Sequence, residues 1–357
     1  MLVDPETGAL NGVASEALRA HAEHGDPDGP PVEAELFLQQ LETQTPPCAN
    51  LAQLEREVRR SRRAVGEAAA AAGAAAVAVA TPILGGEVIE VTPDPSYRRI
   101  QEGYRELARE TLVCAMHVHV GIEDEEEGVR AIDGLSPWLP TLLALSANSP
   151  YFRGRDTGHA SWRDQLWRRL PSRGTGEMFG STATYRDVSE RLVAWGAGLD
   201  EQMIYFDTRL SPTFPTVELR VADVCLDVEN ALLVAALARA LVTTYADREP
   251  LPGWRSDLLR AATWRASRDG IGGSLVDPRT FELAGPRDVI AALVEECRDA
   301  LEAADDLEPV ESLVERLFAG GGNGSTQQRR VLESTGDFTA VVEHLRRRTE
   351  RSWTDQA

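Results

Sequence analysis

Apolar and polar positions alternate in a few short stretches over the first two thirds of the chain and recur at helical spacing over most of the rest. Residues 41–45 put Leu41, Thr43 and Thr45 on one side of an extended chain and Glu42 and Gln44 on the other. A strand with one polar face is therefore expected within 32–45, stopped by Pro46-Pro47. Asn50 is placed to cap a long helix over 51–72. A short buried strand follows at 75–80, a helix at 97–110, an alternating strand at 112–122, and a helix at 125–147 interrupted at Pro137. Residues 148–182 are polar and aromatic and too long for a simple connector, and loops of that kind carry function. A helix is expected at 185–199, then strands at 202–208 and 216–222 joined through Pro212 and Pro215. From 228 onward the pattern is almost all helix: 228–245, 256–268, 286–303, 310–318, 325–333 and 338–349. Residues 1–31 read as turns and loop with a short helix near 15–24. The distribution predicts an α+β fold in one domain spanning 1–357: a largely antiparallel sheet covered on one face by helices, with a helical C-terminal third.

Composition changes the picture in two ways. The net charge is −20, from 37 basic and 57 acidic side chains, so the average field repels DNA, RNA and anionic membranes. All 37 basic residues are arginine. The absence of lysine excludes a Walker A lysine, a kinase-type lysine and a Schiff-base lysine. Phosphate chemistry here must use arginine, backbone N–H groups and metal ions. Cys48, Cys114, Cys225 and Cys297 are far apart and form no C-x-x-C pair, which fits reduced thiols in a cytoplasmic protein. The N-terminus has no signal-peptide pattern, and the apolar stretch 68–80 is too short to span a bilayer.

Three strands offer chemistry on a polar face. In Met116-His117-Val118-His119-Val120-Gly121 the two imidazoles point the same way, a pattern that binds metal or phosphate or makes cross-strand polar contacts. In Val217-Glu218-Leu219-Arg220-Val221, Glu218 and Arg220 share a face. They read as a surface ion pair, or as a metal ligand beside an arginine that neutralises a phosphoryl group. Glu42 lies on the polar face of the first strand, and Glu35 joins it only if residues 36–38 include a turn or bulge. Carboxylates with few histidines suit Mg²⁺ or Mn²⁺ better than zinc, and a zinc hydrolase built on His117 and His119 lacks an evident third nitrogen or sulfur ligand. The acidic run 123–127 fits a helix N-terminus, and the glycine run 320–324 a flexible loop or a phosphate cradle.

An ordered set of segments resembles the type 2 glutamate–cysteine ligases, a family of carboxylate–amine ligases. The segments are Leu36-Phe37 with Gln40-Leu41-Glu42 and Thr45-Pro46, His117-Val118-His119-Val120-Gly121, and Leu145-Ser146-Ala147-Asn148-Ser149-Pro150. They continue with Arg153-Gly154-Arg155-Asp156-Thr157-Gly158, Ala160-Ser161-Trp162-Arg163, Tyr205-Phe206-Asp207, Pro215-Thr216-Val217-Glu218-Leu219-Arg220, and Gly322-Asn323-Gly324 with Arg329. The resemblance covers essentially the whole chain. It implies a glutamine-synthetase-like antiparallel sheet shaped as a funnel, and ATP- and Mg²⁺-dependent amide formation through an acyl phosphate. It implies Glu35, Glu42, His117 and Glu218 as metal ligands, Arg220 with Glu218 as the catalytic pair, and His119, Arg220, Asn323 and Arg329 on the nucleotide. Arg153, Arg155, Trp162 and Arg163 are implied substrate-loop residues. Small-molecule acid and amine substrates are implied, and a cytoplasmic homodimer is compatible.

Members of that family carry a Gly-Val-Glu-Glu-Glu strand immediately before a segment like Leu2-Val3-Asp4-Pro5-Glu6-Thr7-Gly8. Met1 stands where that strand ends. The expectation is that the start lies upstream and supplies further metal-ligating glutamates. The alternative is a catalytically inactive relative that binds a small molecule or a protein.

Overall fold

The structure is a computed structural model, and it describes residues 1–85, 89–174 and 176–354. Its sheets are small and antiparallel, and helices make up most of the chain, an α+β fold. The largest sheet has three strands, Val118–Gly121, Thr216–Leu219 and Thr208–Leu210, with Thr216–Leu219 in the middle. Its register sets His119 opposite Glu218 and Glu218 opposite Arg209. Side-chain alternation then separates the two faces. Val120, Val217 and Leu219 are buried in the main core, while His119, Glu218 and Arg209 share the other face.

Two helices, Glu125–Leu135 and Val228–Asp247, close the apolar face. Gly134 is where they meet: a Cβ there would run into the Tyr245 ring. The helix Val228–Asp247 is long and apolar enough by composition to cross a membrane, but it also contacts Leu51–Ala71, Leu139–Ser146 and Leu307–Ala319. Leu237, Leu241 and Tyr245 are fully buried, so its apolar character is that of a central core helix. Asn50 caps Leu51–Ala71 as expected, its side chain accepting from the Gln53 N–H at 2.9 Å.

Several expected elements differ. The strand within 32–45 is a hairpin, Val32–Ala34 paired with Leu41–Thr43, with Glu33 opposite Glu42. A turn closes between them, where the Gln40 N–H donates to the Phe37 carbonyl. The expected strand 112–122 narrows to Val118–Gly121, preceded by an isolated bridge from Ala115 to Asp223. The strand at 75–80 is Ala75–Ala76, paired with Leu2–Val3. The helix at 97–110 breaks at Arg105, whose φ is 53°, into Pro95–Tyr104 and Glu106–Arg109. The strand expected at 202–208 begins at Thr208 and runs to Leu210, because a turn over Glu201–Met203 occupies its start. The long loop holds a small hairpin, Tyr151–Phe152 with Arg155–Asp156, and a short helix, Trp162–Trp167.

Candidate active site

Glu218 stands at the centre of the polar face, 3% exposed. Its Oε2 accepts from Arg209 Nε at 2.7 Å. Its Oε1 pairs with Arg220, and lies 3.5 Å from His117 Nδ1 and 3.9 Å from His119 Nε2. Burial works to raise the Glu218 carboxyl, but Arg220 and Arg209 together outweigh it and hold it below its usual range. Burial and the surrounding guanidiniums hold His117 well below its ordinary value. His119 is also depressed, burial outweighing the pull of Glu218. Both imidazoles are neutral at pH 7, so their contacts with Glu218 are polar contacts and not ion pairs. His119 Nδ1 hydrogen-bonds with Thr216 Oγ1 at 2.9 Å, and Phe214, half exposed, sets its ring edge-on to the imidazole at 5.9 Å.

The 32–43 hairpin forms the opposite bank. Its turn is the one on which the convergence of Glu35 and Glu42 depended, and the two carboxyls share a hydrogen bond. Glu42 is exposed, yet the protein packed beside its carboxyl and the charges of Glu35 and Glu33 push that carboxyl up to about 8. The two banks face each other: Glu42 feels the charge of Arg220, and Tyr205 feels both Glu35 and Arg220. The Arg220 guanidinium lies 5.9 Å from the centre of the Tyr205 ring. Glu35 and Glu42 thus stand apart from Glu218 and His117, and among the described residues no group of three or more His, Cys, Asp or Glu stands close enough to hold a metal ion.

A buried arginine–aspartate layer lies under the row. Arg163 donates to the carbonyls of Val221 and Arg220 at 3.0 and 2.9 Å and sits 3.9 Å from Asp223. Asp223 in turn accepts from Ser149 Oγ, Ser161 Oγ and the Asn148 N–H. Arg173 pairs with Asp207 at 2.8 Å, and Arg168 with Asp164 at 2.8 Å. Burial, reinforced by neighbouring arginines, lowers Arg173 and Arg220 to about 10 each. Arg163 is therefore a fully buried brace for the strand end at Arg220, not an open substrate contact.

The remaining expected residues lie on the small hairpin and the glycine run. Arg153 and Arg155 are exposed, and Arg153 lies over the Phe152 ring at 5.0 Å. Trp162 is half-buried against His159, ring centres 5.2 Å apart. Arg329 ties down the hairpin, donating to Asp156 at 2.8 Å and to the His159 carbonyl at 2.9 Å. Asn323 is buried: it caps the helix Gly324–Thr335 and donates to the carbonyls of Ala144 and Leu145. Gly324 packs on Asn148 so closely that a Cβ would clash, which explains the glycine there by contact.

Arg209 and Glu33 are missing from the sequence reading, and Tyr205 entered it only within the segment Tyr205-Phe206-Asp207, with no role. Pro212 and Pro215 were the available signal for Arg209. They confine the loop to 211–215, so the strand before it must run through Leu210, and Arg209 then faces Glu218. A depression of about 480 Å³ between Asp133, Phe179, Phe206 and Trp254 lies elsewhere and contains none of the polar row.

The family profile described as Glutamate-cysteine ligase family 2 (GCS2) matches residues 1–344. A Nocardioides protein with the provisional name glutamate–cysteine ligase 2-1 is 47% identical over 365 residues, covering 99% of this chain and 95% of its own. A Streptomyces coelicolor protein provisionally named glutamate–cysteine ligase 2 is 43% identical over 363 residues, 98% of this chain and 97% of its own. The fold is similar to the crystal structure of a glutamate–cysteine ligase from Francisella tularensis in complex with AMP. The TM-score is 0.65 at 12% identity, over 99% of this chain and 87% of that one.

Proposed function

The chain belongs to glutamate–cysteine ligase family 2, and from that premise we propose that it joins a carboxylate to an amine at the expense of ATP, with glutamate and cysteine as the pair. The reaction transfers the γ-phosphoryl group to the acid, giving an acyl phosphate and ADP. The amine then attacks the acyl carbon and phosphate leaves. The observation that carries this reading is the buried Arg209–Glu218–Arg220 row between two neutral imidazoles, facing the paired carboxyls of Glu35 and Glu42.

The parts suit that chemistry. With no lysine in the chain, Arg220 is a buried cation in the row, and it would meet the charge on the transferring phosphoryl group. His117 and His119 offer polar contacts without adding charge. Phe214 gives His119 an apolar edge, which would face the nucleotide. Arg153 and Arg155 are exposed cations suited to substrate carboxylates, with Trp162 behind them. Arg329 and Asn323 serve by holding the hairpin and the helix start that carry this region.

A divalent cation fits one bank. Two carboxyls in contact, one pushed up to about 8, are hard oxygen donors whose mutual repulsion Mg²⁺ or Mn²⁺ would relieve. Glu35 and Glu42 would hold it; Glu218 and His117, which stand apart from them, are the other donors that the family resemblance implies. Bound there, the ion would offset the triphosphate charge in a chain of net charge −20. The lack of a three-donor group among the described residues favours a second reading, a relative that binds its ligand without turning it over.

The test is ADP release by the full chain with glutamate, cysteine, ATP and Mg²⁺. Arg220→Ala should lower the rate by roughly 10³-fold with an unchanged circular dichroism spectrum. Near-normal turnover in that variant would overturn the assignment of Arg220. Metal-independent nucleotide binding without ADP release would favour the second reading.

A further inference from the structure

Glu218 is held asymmetrically, and the residue that holds it is itself held. Arg209 Nη1 donates to the carbonyls of Gln202 and Ile204 at 2.6 and 2.8 Å, while its Nε donates to Glu218 Oε2 at 2.7 Å. Three bonds in three directions leave the guanidinium no other orientation, and the side chain is 9% exposed. A carboxylate held by Arg220 alone could turn about its last torsion and present either oxygen to the cleft. With Oε2 pinned across the strand pair, that freedom is gone. Oε1 is then the oxygen that meets Arg220, His117 and His119. The charges sort the same way. One carboxylate lies between two guanidiniums, so one positive charge remains on the row. Arg220 meets Glu218 through Nη1, which leaves Nη2 outside that bond; its Nε is enclosed by protein and has no hydrogen-bond partner among the described residues. A carboxylate with one guanidinium on each oxygen leaves Arg220 half-engaged, with a donor still free.

We propose that Arg209 is a positioning residue: it fixes the Glu218 carboxylate by Oε2, so that Oε1 alone works in the cleft and Arg220 keeps a donor for an anionic group of the substrate. The inference rests on the ligase reading above for its assay. Arg209 stands beside the carboxylate on the neighbouring strand and acts through Glu218.

The experiment is a double-mutant cycle in kcat for ADP release, using R209K, R209Q, E218Q and both Arg209 variants in the E218Q background. R209K keeps the charge but cannot reach Oε2 and both carbonyls together, so it separates positioning from charge. The expected result is a fall in kcat of about 10²-fold in R209K, the scale of a misplaced catalytic group. KM for ATP should stay within about threefold. In the E218Q background the Arg209 substitutions should add almost nothing, because the group they position is already gone. Losses that multiply in the double variants would overturn the inference, as would wild-type kcat in R209K. If R209Q fails to fold, R209K and its E218Q partner decide alone, since they retain the buried cation. Wild-type protein that releases no ADP would instead strike the ligase reading, an outcome separate from an active wild type whose R209K variant is equally active.

Discussion

Glu42 ties the cleft to pH. Its carboxyl is pushed up to about 8 by its surroundings and by the charges of Glu35 and Glu33, against a usual value near 4.3. Between those two values the folded protein holds a proton that the unfolded chain has released. Stability contributed by this group is therefore full at low pH and declines as pH rises toward 8. His117 acts in the opposite sense. Its folded value lies well below 6.5, so its contribution is full at neutral pH and is lost as pH falls below 6.5. Melting temperatures in EDTA from pH 5 to 8, compared between wild type and Glu42→Gln, isolate the first effect. The wild type should lose stability relative to the variant as pH rises, and Mg²⁺ at pH 8 should narrow the gap. A difference that does not change with pH would mean that Glu42 is solvated as an ordinary surface carboxylate.

At the scale of elements, hairpins and caps bring the chemistry together. The turn between Val32–Ala34 and Leu41–Thr43 brings Glu35 to Glu42, and a continuous strand would have set them on opposite faces. The cap at Asn323 illustrates a different point. Its side chain accepts the Thr326 N–H and donates to two buried carbonyls, which joins Gly324–Thr335 to the end of Leu139–Ser146. Asn323→Ala should therefore cost about 2 kcal/mol, a cap plus buried carbonyls left unpaired. KM for ATP in that variant should be unchanged. A raised KM with undiminished stability in urea titration would return Asn323 to the nucleotide.

At the scale of the whole molecule, the polar row is only as well placed as the core behind it. The sheet is three strands wide and four residues long at most, too small to be stable alone. Its back face is closed by Glu125–Leu135 and Val228–Asp247, and the latter also reaches five further helices. Leu237, fully buried on that helix, is a test of how far the site depends on the core. Leu237→Ala should destabilise by about 2–5 kcal/mol. At temperatures where the variant remains folded, KM should stay near wild type. A large KM change in the folded variant would show that the core sets the geometry of the cleft and not merely its persistence.

Local signals in the sequence determined a good deal. Asn50 and its helix, the Pro137 break between Glu125–Leu135 and Leu139–Ser146, and the helical run after Val228 follow from capping chemistry, proline geometry and 3.6-residue spacing, which act within a few residues. The shared face of Glu218 and Arg220, and the common direction of His117 and His119, follow from strand alternation in the same way. The tertiary structure decided what depends on partners distant in the chain. Arg209 became a neighbour of Glu218 through strand pairing, and Glu35 met Glu42 through a turn whose closure periodicity does not report. Arg163 and Asn323 carry the polar side chains of binding residues, yet both are buried in structural bonds to carbonyls of segments far away in sequence. Whether an arginine faces a ligand or braces a strand depends on which backbone carbonyls come within 3 Å of it, and only the folded chain sets that.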